Sequence, residues 1–224
     1  MASFLARPRA PRRRGDGGSP DRLIGFSDGV MAVIITIMAL ELRPPAGTGF
    51  AALSHRLPML LIYVLSFTFI GIYWNNHHHL LRATEKIDGA VMWANLHLLF
   101  WLSLIPVLTE WVGRDYRYHW PAAAYGVDAL GAALAYGILV RLIVRANGTG
   151  SQVAAAIGSD RKGRLSELVY VVAIGVAFWS PYASYAAFVI VSCIWFVPDR
   201  RLSGRQDVPT VSAGETSQAA PGEG

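Results

Sequence analysis

"RLIGFSDGVMAVIITIMALEL", residues 22–42, decides how this chain is built. Its length and apolarity suit a helix that crosses a bilayer, which takes roughly 20 apolar residues. Yet Asp28 stands near its start and Glu41 near its end. An Asp at the centre of a membrane helix costs roughly 2.5–3.5 kcal/mol. Chains keep such residues where they pair with one another or line an ion path.

The rest of the chain has the same character. It has 224 residues, 53% hydrophobic and only 16% charged, whereas a soluble domain carries about 25% charged residues. Mean hydropathy is +0.36, and the apolar residues come in blocks. This is the composition of a polytopic membrane protein. The net charge of +5 does not indicate nucleic acid as a partner, because the arginines cluster at the ends of apolar blocks and orient helices in a bilayer. The single cysteine, Cys193, excludes an internal disulfide. Its apolar surroundings predict a packing role. Residues 1–21 lack the apolar core of a signal peptide and are expected to form a disordered basic cytoplasmic arm. Residues 199–224, rich in Gly, Ser and Gln, are expected to be a disordered tail. Between them, 22–198 form the transmembrane domain.

Spans are predicted at 23–42, 57–81, 90–112 and 120–144. The last apolar block, 165–197, is too long for one ordinary span. The "WSPY" run at its middle, holding Pro181, breaks it into two short helices. The expected fold is thus all-α, with six transmembrane helices. Of the 20 Lys and Arg residues, only Arg43, Arg56, Arg114 and Arg117 then fall outside. The positive-inside rule therefore places both termini in the cytoplasm of a multi-pass plasma-membrane protein. "NGT" at 147–149 is a sequon by pattern only, since it lies inside. "GSDRKG" at 158–163 lacks the P-loop spacing.

On a helix turning about 100° per residue, Val33, Ile37 and Leu40 make a narrow apolar stripe. Gly29, Thr36, Gly25, Ala32 and Ala39 lie beside it as a strip of small residues. Gly25 and Gly29 form a G-x-x-x-G, which admits a neighbouring backbone. Asp28 points well away from the stripe, toward the chain's own bundle. An Arg22–Ser27–Asp28 cluster bonded to His77 and Asn95 would remove the cost of burying these groups. These groups serve equally well as glue between helices.

Arg22-x-x-x-Phe26-Ser27-Asp28 resembles the R-x-x-x-F-S-D motif of the transmembrane protein 175 potassium channels, in particular the single-repeat prokaryotic members. The likeness continues through "ALEL", Trp74-x-x-His77, Asn95 and Pro106, and covers nearly all of 22–197. The resemblance implies a homotetramer with four first helices around a pore. It implies that Val33, Ile37 and Leu40 form the constriction and that Thr36 bears on potassium preference. The motif occurs once, so four chains are needed. Val33 is smaller than the usual Ile or Leu at that level, which shifts the narrowest point toward Ile37 or Leu40.

No "TVGYG"-like filter is present, so permeation would be governed by width and dewetting at apolar rings rather than by carbonyl ligands. Four copies of Glu41 at the outer mouth would concentrate cations; the plainer reading is a solvated acid near Arg43. The run His77–His79 makes no metal site in one chain, because adjacent helical residues point apart. Asp128, in the fourth span, lacks an evident partner; Glu110 and His119 are candidates. No catalytic frame, H-E-x-x-H or CxxC occurs, so neither an enzyme nor a cofactor is expected. The expected partners are potassium ions, the lipid bilayer and further copies of the chain. The alternative is a small proton- or cation-coupled secondary transporter using Asp28 and the histidines; a non-conducting scaffold is a third reading.

Overall fold

The computed structural model describes residues 20–157 and 161–196. The basic arm expected over 1–21 falls almost wholly outside these residues, and the tail over 199–224 does so entirely. The described chain is helical: α1 (Pro20–Glu41), α2 (Phe50–Arg82), α3 (Gly89–Asp115), α4 (His119–Asn147), the short α5 (Gln152–Ile157), α6 (Arg161–Ala177) and α7 (Pro181–Phe196). The first four are long and apolar enough to cross a membrane.

Local chemistry sets the helix ends. α1 and α7 both open on proline, whose fixed φ suits a first turn where its missing N–H is not needed. The Asp88 side chain accepts from the Val91 amide at 2.9 Å and caps α3. α4 stops at Gly148, whose φ of 91° lies where other residues are strained. The block 165–197 divides as expected, with the break over residues 178–180. α2 begins at Phe50, earlier than the predicted 57, and runs 33 residues with Pro58 inside it. At about 1.5 Å per residue it is some 50 Å long, more than the hydrocarbon core of about 30 Å requires.

α3 is the central element. It packs on α4, α1 and α2, while α4 carries α6 and α7 on its far side. Leu98, Leu102 and Ile105 of α3 are fully buried, as are Leu139 and Ile143 of α4 and Met31 and Met38 of α1. The α3–α4 contact is close because the Trp101 ring lies directly against Gly131, leaving no room for a Cβ. Many large apolar side chains lie outside, among them Phe100, Val107 and Leu168, as expected where the solvent is hydrocarbon.

Hydrogen bonds fix the two ends of the bundle. At one end Asn147 clamps the α2–α3 loop. Its Oδ1 accepts from the Glu85 and Lys86 amides at 3.1 and 2.9 Å. Its Nδ2 donates to the Lys86 carbonyl. At the other end, Tyr185 of α7 donates to the Tyr116 carbonyl just past α3.

Candidate functional site

α1 has two unlike faces. Ser27, Met31, Ile34 and Met38 are its buried residues, spaced to share one side of a helix that packs on α2 and α3. On the opposite side Val33 is 56%, Ile37 43% and Leu40 82% exposed. Thr36 is exposed beside them and donates its hydroxyl to the Val33 carbonyl at 2.8 Å. No heavy atom of a neighbouring element lies within 4 Å of where a Cβ would stand at Gly25 or Gly29. Among the described residues of one chain, the apolar stripe and the small-residue strip are therefore largely uncovered.

A buried polar chain locks the other face. Asn95 Nδ2 donates to Ser27 Oγ at 2.9 Å, and Asn95 Oδ1 lies 2.6 Å from His77 Nε2. All three residues are fully buried. With the amide in this orientation, Oδ1 can only accept, so Nε2 carries the hydrogen. Ser27, Asn95 and His77 thus come together, tying α1 to α3 and α3 to α2.

Asp28 and Arg22 do not join them. Asp28 Oδ1 accepts from Trp74 Nε1 at 3.0 Å, and its Oδ2 lies 3.7 Å from His78 Nδ1. Trp74 and His78 stand one turn apart and share a face of α2, their rings 5.7 Å apart. His77 points elsewhere, toward α3. Arg22 is exposed and makes no hydrogen bond or ion pair among the described residues. Phe26 is half exposed on the outward side. His79 is exposed, its ring meeting the edge of His78. The three histidines thus occupy three environments. Among the described residues, no three His, Cys, Asp or Glu side chains converge on a metal position.

A second polar chain, not anticipated from the sequence, lies nearer the other end. Thr109 donates to Ser66 Oγ at 2.7 Å, Ser66 bonds Tyr125 Oη at 3.0 Å, and the Thr109 hydroxyl also contacts Met38 Sδ at 3.8 Å. It links α3, α2 and α4, and touches α1. Hydroxyls inside apolar spans were its only signal, and an ambiguous one, because such groups often bond their own helix. Asp128 is 3% exposed, and among the described residues its Oδ1 has no hydrogen-bond partner. Neither candidate partner reaches it: Glu110 pairs with Arg114, and His119 stacks on Phe178. Glu41 is half-buried at the end of α1; its carbonyl accepts from the Arg43 amide, with no side-chain ion pair between the two among the described residues. Cys193, expected to pack inside, is exposed.

Residues 22–106 match the sequence family described as endosomal/lysosomal potassium channel TMEM175. A potassium channel of Chryseobacterium sp. (strain P1-3) is 47% identical over 181 residues, covering 81% of this chain and 94% of that one. A potassium channel of Streptomyces collinus is 33% identical over 180 residues, covering 74% and 86%. In three dimensions the chain resembles the crystal structure of a lysosomal potassium-selective channel TMEM175 homologue from Chamaesiphon minutus. The TM-score is 0.69 at 23% identity, over 81% of this chain and 97% of the other. That likeness is one of fold.

Proposed function

The chain belongs to the TMEM175 potassium channel family, and from that premise we propose that it is a potassium-selective channel made of four copies of this chain. α1 lines the pore in this reading. The observation that carries it is the pair of unlike faces on α1: a side held by buried polar bonds and a side of Val33, Ile37 and Leu40 left uncovered. Four-fold symmetry stacks that uncovered side into three apolar rings on the axis. The glycines at 25 and 29, with open space before them, let adjacent α1 helices approach closely.

Narrow apolar rings resist water, so permeation is set by width and wetting. Thr36 is suited to favour a cation beside them. Its hydroxyl hydrogen is committed to the Val33 carbonyl, which leaves its oxygen lone pairs as the only polar feature facing outward. Glu41 stands at the far end of the same helix, where four carboxylates raise the local cation concentration. Ser27, Asp28, Asn95, His77 and Trp74 hold α1 in register and do not touch the ion. Arg22 and Phe26 complete the motif at the helix entrance. α6 and α7 form a re-crossing hairpin, giving six spans and both termini in the cytoplasm of the plasma membrane. The folded channel domain covers 22–198, between a basic arm and a polar tail.

Purified protein in a planar bilayer with potassium on one side and sodium on the other tests this directly. A unitary current reversing on the potassium-selective side of zero is expected. Electrically silent, proton-coupled uptake would identify a transporter instead.

A further inference from the structure

Between α2 and α7 runs an open groove of about 650 Å³, larger than any gap that packing normally leaves. Its walls are apolar: Leu57, Leu61 and Val64 from α2 face Ala186 and Val189 from α7. The serine and threonine hydroxyls along it are committed to carbonyls of their own helices. Ser54 donates to the Ala51 carbonyl, Thr68 to that of Val64 and Ser192 to that of Phe188. Short of the tyrosines at its end, a polar solute would find no free serine or threonine hydrogen along these walls, whereas a hydrocarbon chain would regain the dispersion contacts that an empty groove forfeits.

The groove ends at the α3–α4 side of the bundle against Tyr116 and Tyr182, amphipathic rings of the kind found at headgroup depth. The next residue, Arg117, is exposed, its guanidinium 5.4 Å from the Tyr116 ring centre and its Nε donating to the Tyr116 hydroxyl at 3.1 Å. Among the described residues no carboxylate pairs with it. Its two terminal nitrogens form a preset fork for a phosphate.

We propose that this groove is a binding site for an anionic phospholipid of the bilayer, with one acyl chain between α2 and α7 and the phosphate on Arg117. In the orientation proposed above, the lipid comes from the outer leaflet. The site lies away from the α1 stripe and needs no assumption about conduction.

Cys193, the chain's one cysteine, lines the groove and reports its occupancy. The experiment follows N-ethylmaleimide labelling of the full chain in mild detergent by intact mass, with phosphatidylglycerol or phosphatidylcholine added at equal mole fraction. At a lipid level ten times its dissociation constant about one groove in eleven is open, so phosphatidylglycerol should slow labelling about tenfold. Phosphatidylcholine should slow it less. Arg117→Ala should erase the difference between the two lipids. Leu61→Trp, which fills the groove, should slow labelling without lipid and remove the lipid effect. The proposal is overturned by labelling that phosphatidylglycerol does not slow. It is also overturned if labelling of the unmodified chain is already blocked without lipid, which would mean that a second copy covers the groove. Phosphatidylglycerol preference that survives in Arg117→Ala would remove the phosphate site. The readout is chemical, so its failure would leave the channel reading standing.

Discussion

Asp28 lies two turns into α1, and both of its oxygens face α2, one on the Trp74 indole and one near His78. An acid so engaged fixes a helix; it is poorly placed to trade ligands with a passing ion. The Trp74 bond needs only an accepting oxygen, which an amide also supplies. Asp28→Asn should therefore assemble like the parent chain, whereas Asp28→Ala and Trp74→Phe should each lose about 1–2 kcal/mol per chain. Size-exclusion chromatography in mild detergent would read this as a lower yield of assembled protein. Normal assembly of Asp28→Asn with lost discrimination between potassium and sodium would instead make Asp28 an ion ligand. The direction of Asp28 was legible from helix geometry, but its partner was not. A wheel of α1 does not say which rung of α2 lies opposite. Grouping His77 with Asp28 ignored that Trp74 and His78 share one side of α2 while His77 lies on another. Asn147 was masked in a different way: as part of a sequon it drew attention to glycosylation, not to the loop it holds.

At the scale of elements, α1 was the most legible because its apolar stripe and its packing residues fall on separate sides of one helix. The Pro181 break was equally plain, since proline stops a helix wherever its neighbours would continue it. The groove beside Cys193 was invisible, because no local pattern gives the spacing between α2 and α7. The clamp at Asn147 ties the α2–α3 loop to α4 through three hydrogen bonds, two of them accepted from loop amides, while a fourth returns to the Ile143 carbonyl of its own helix. Asn147→Ala removes the one acceptor shared by the Glu85 and Lys86 amides. The loss should be about 1–2 kcal/mol, since partial exposure lets water replace part of it. Trypsin should then cut after Lys86 several-fold faster than in the parent. An unchanged cleavage rate would show that the loop is held by something else.

For the whole molecule, the uncovered side of α1 takes its meaning from the proposed four-fold assembly, in which symmetry would turn one helix face into a channel wall. Glu41 tests the outer end. If four carboxylates ring the mouth, Glu41→Gln should lower unitary potassium current at low salt. It should matter little near physiological ionic strength and above, where charges are screened over about 8 Å or less. An equal fractional loss at all salt levels would place Glu41 away from the ion path.

The most direct measurement compares the two faces of α1 by potassium and sodium flux into proteoliposomes at matched protein content. Ile37→Asn and Leu40→Asn put a polar group of similar size on the uncovered stripe. Both should wet the constriction, raise flux and reduce the preference for potassium. Ile34→Asn puts the same amide among buried neighbours, where it lacks partners, and should lower the yield of folded protein without raising flux per molecule. If Ile34→Asn raises flux while Ile37→Asn and Leu40→Asn leave it unchanged, the stripe is not the pore wall and the account fails at its centre.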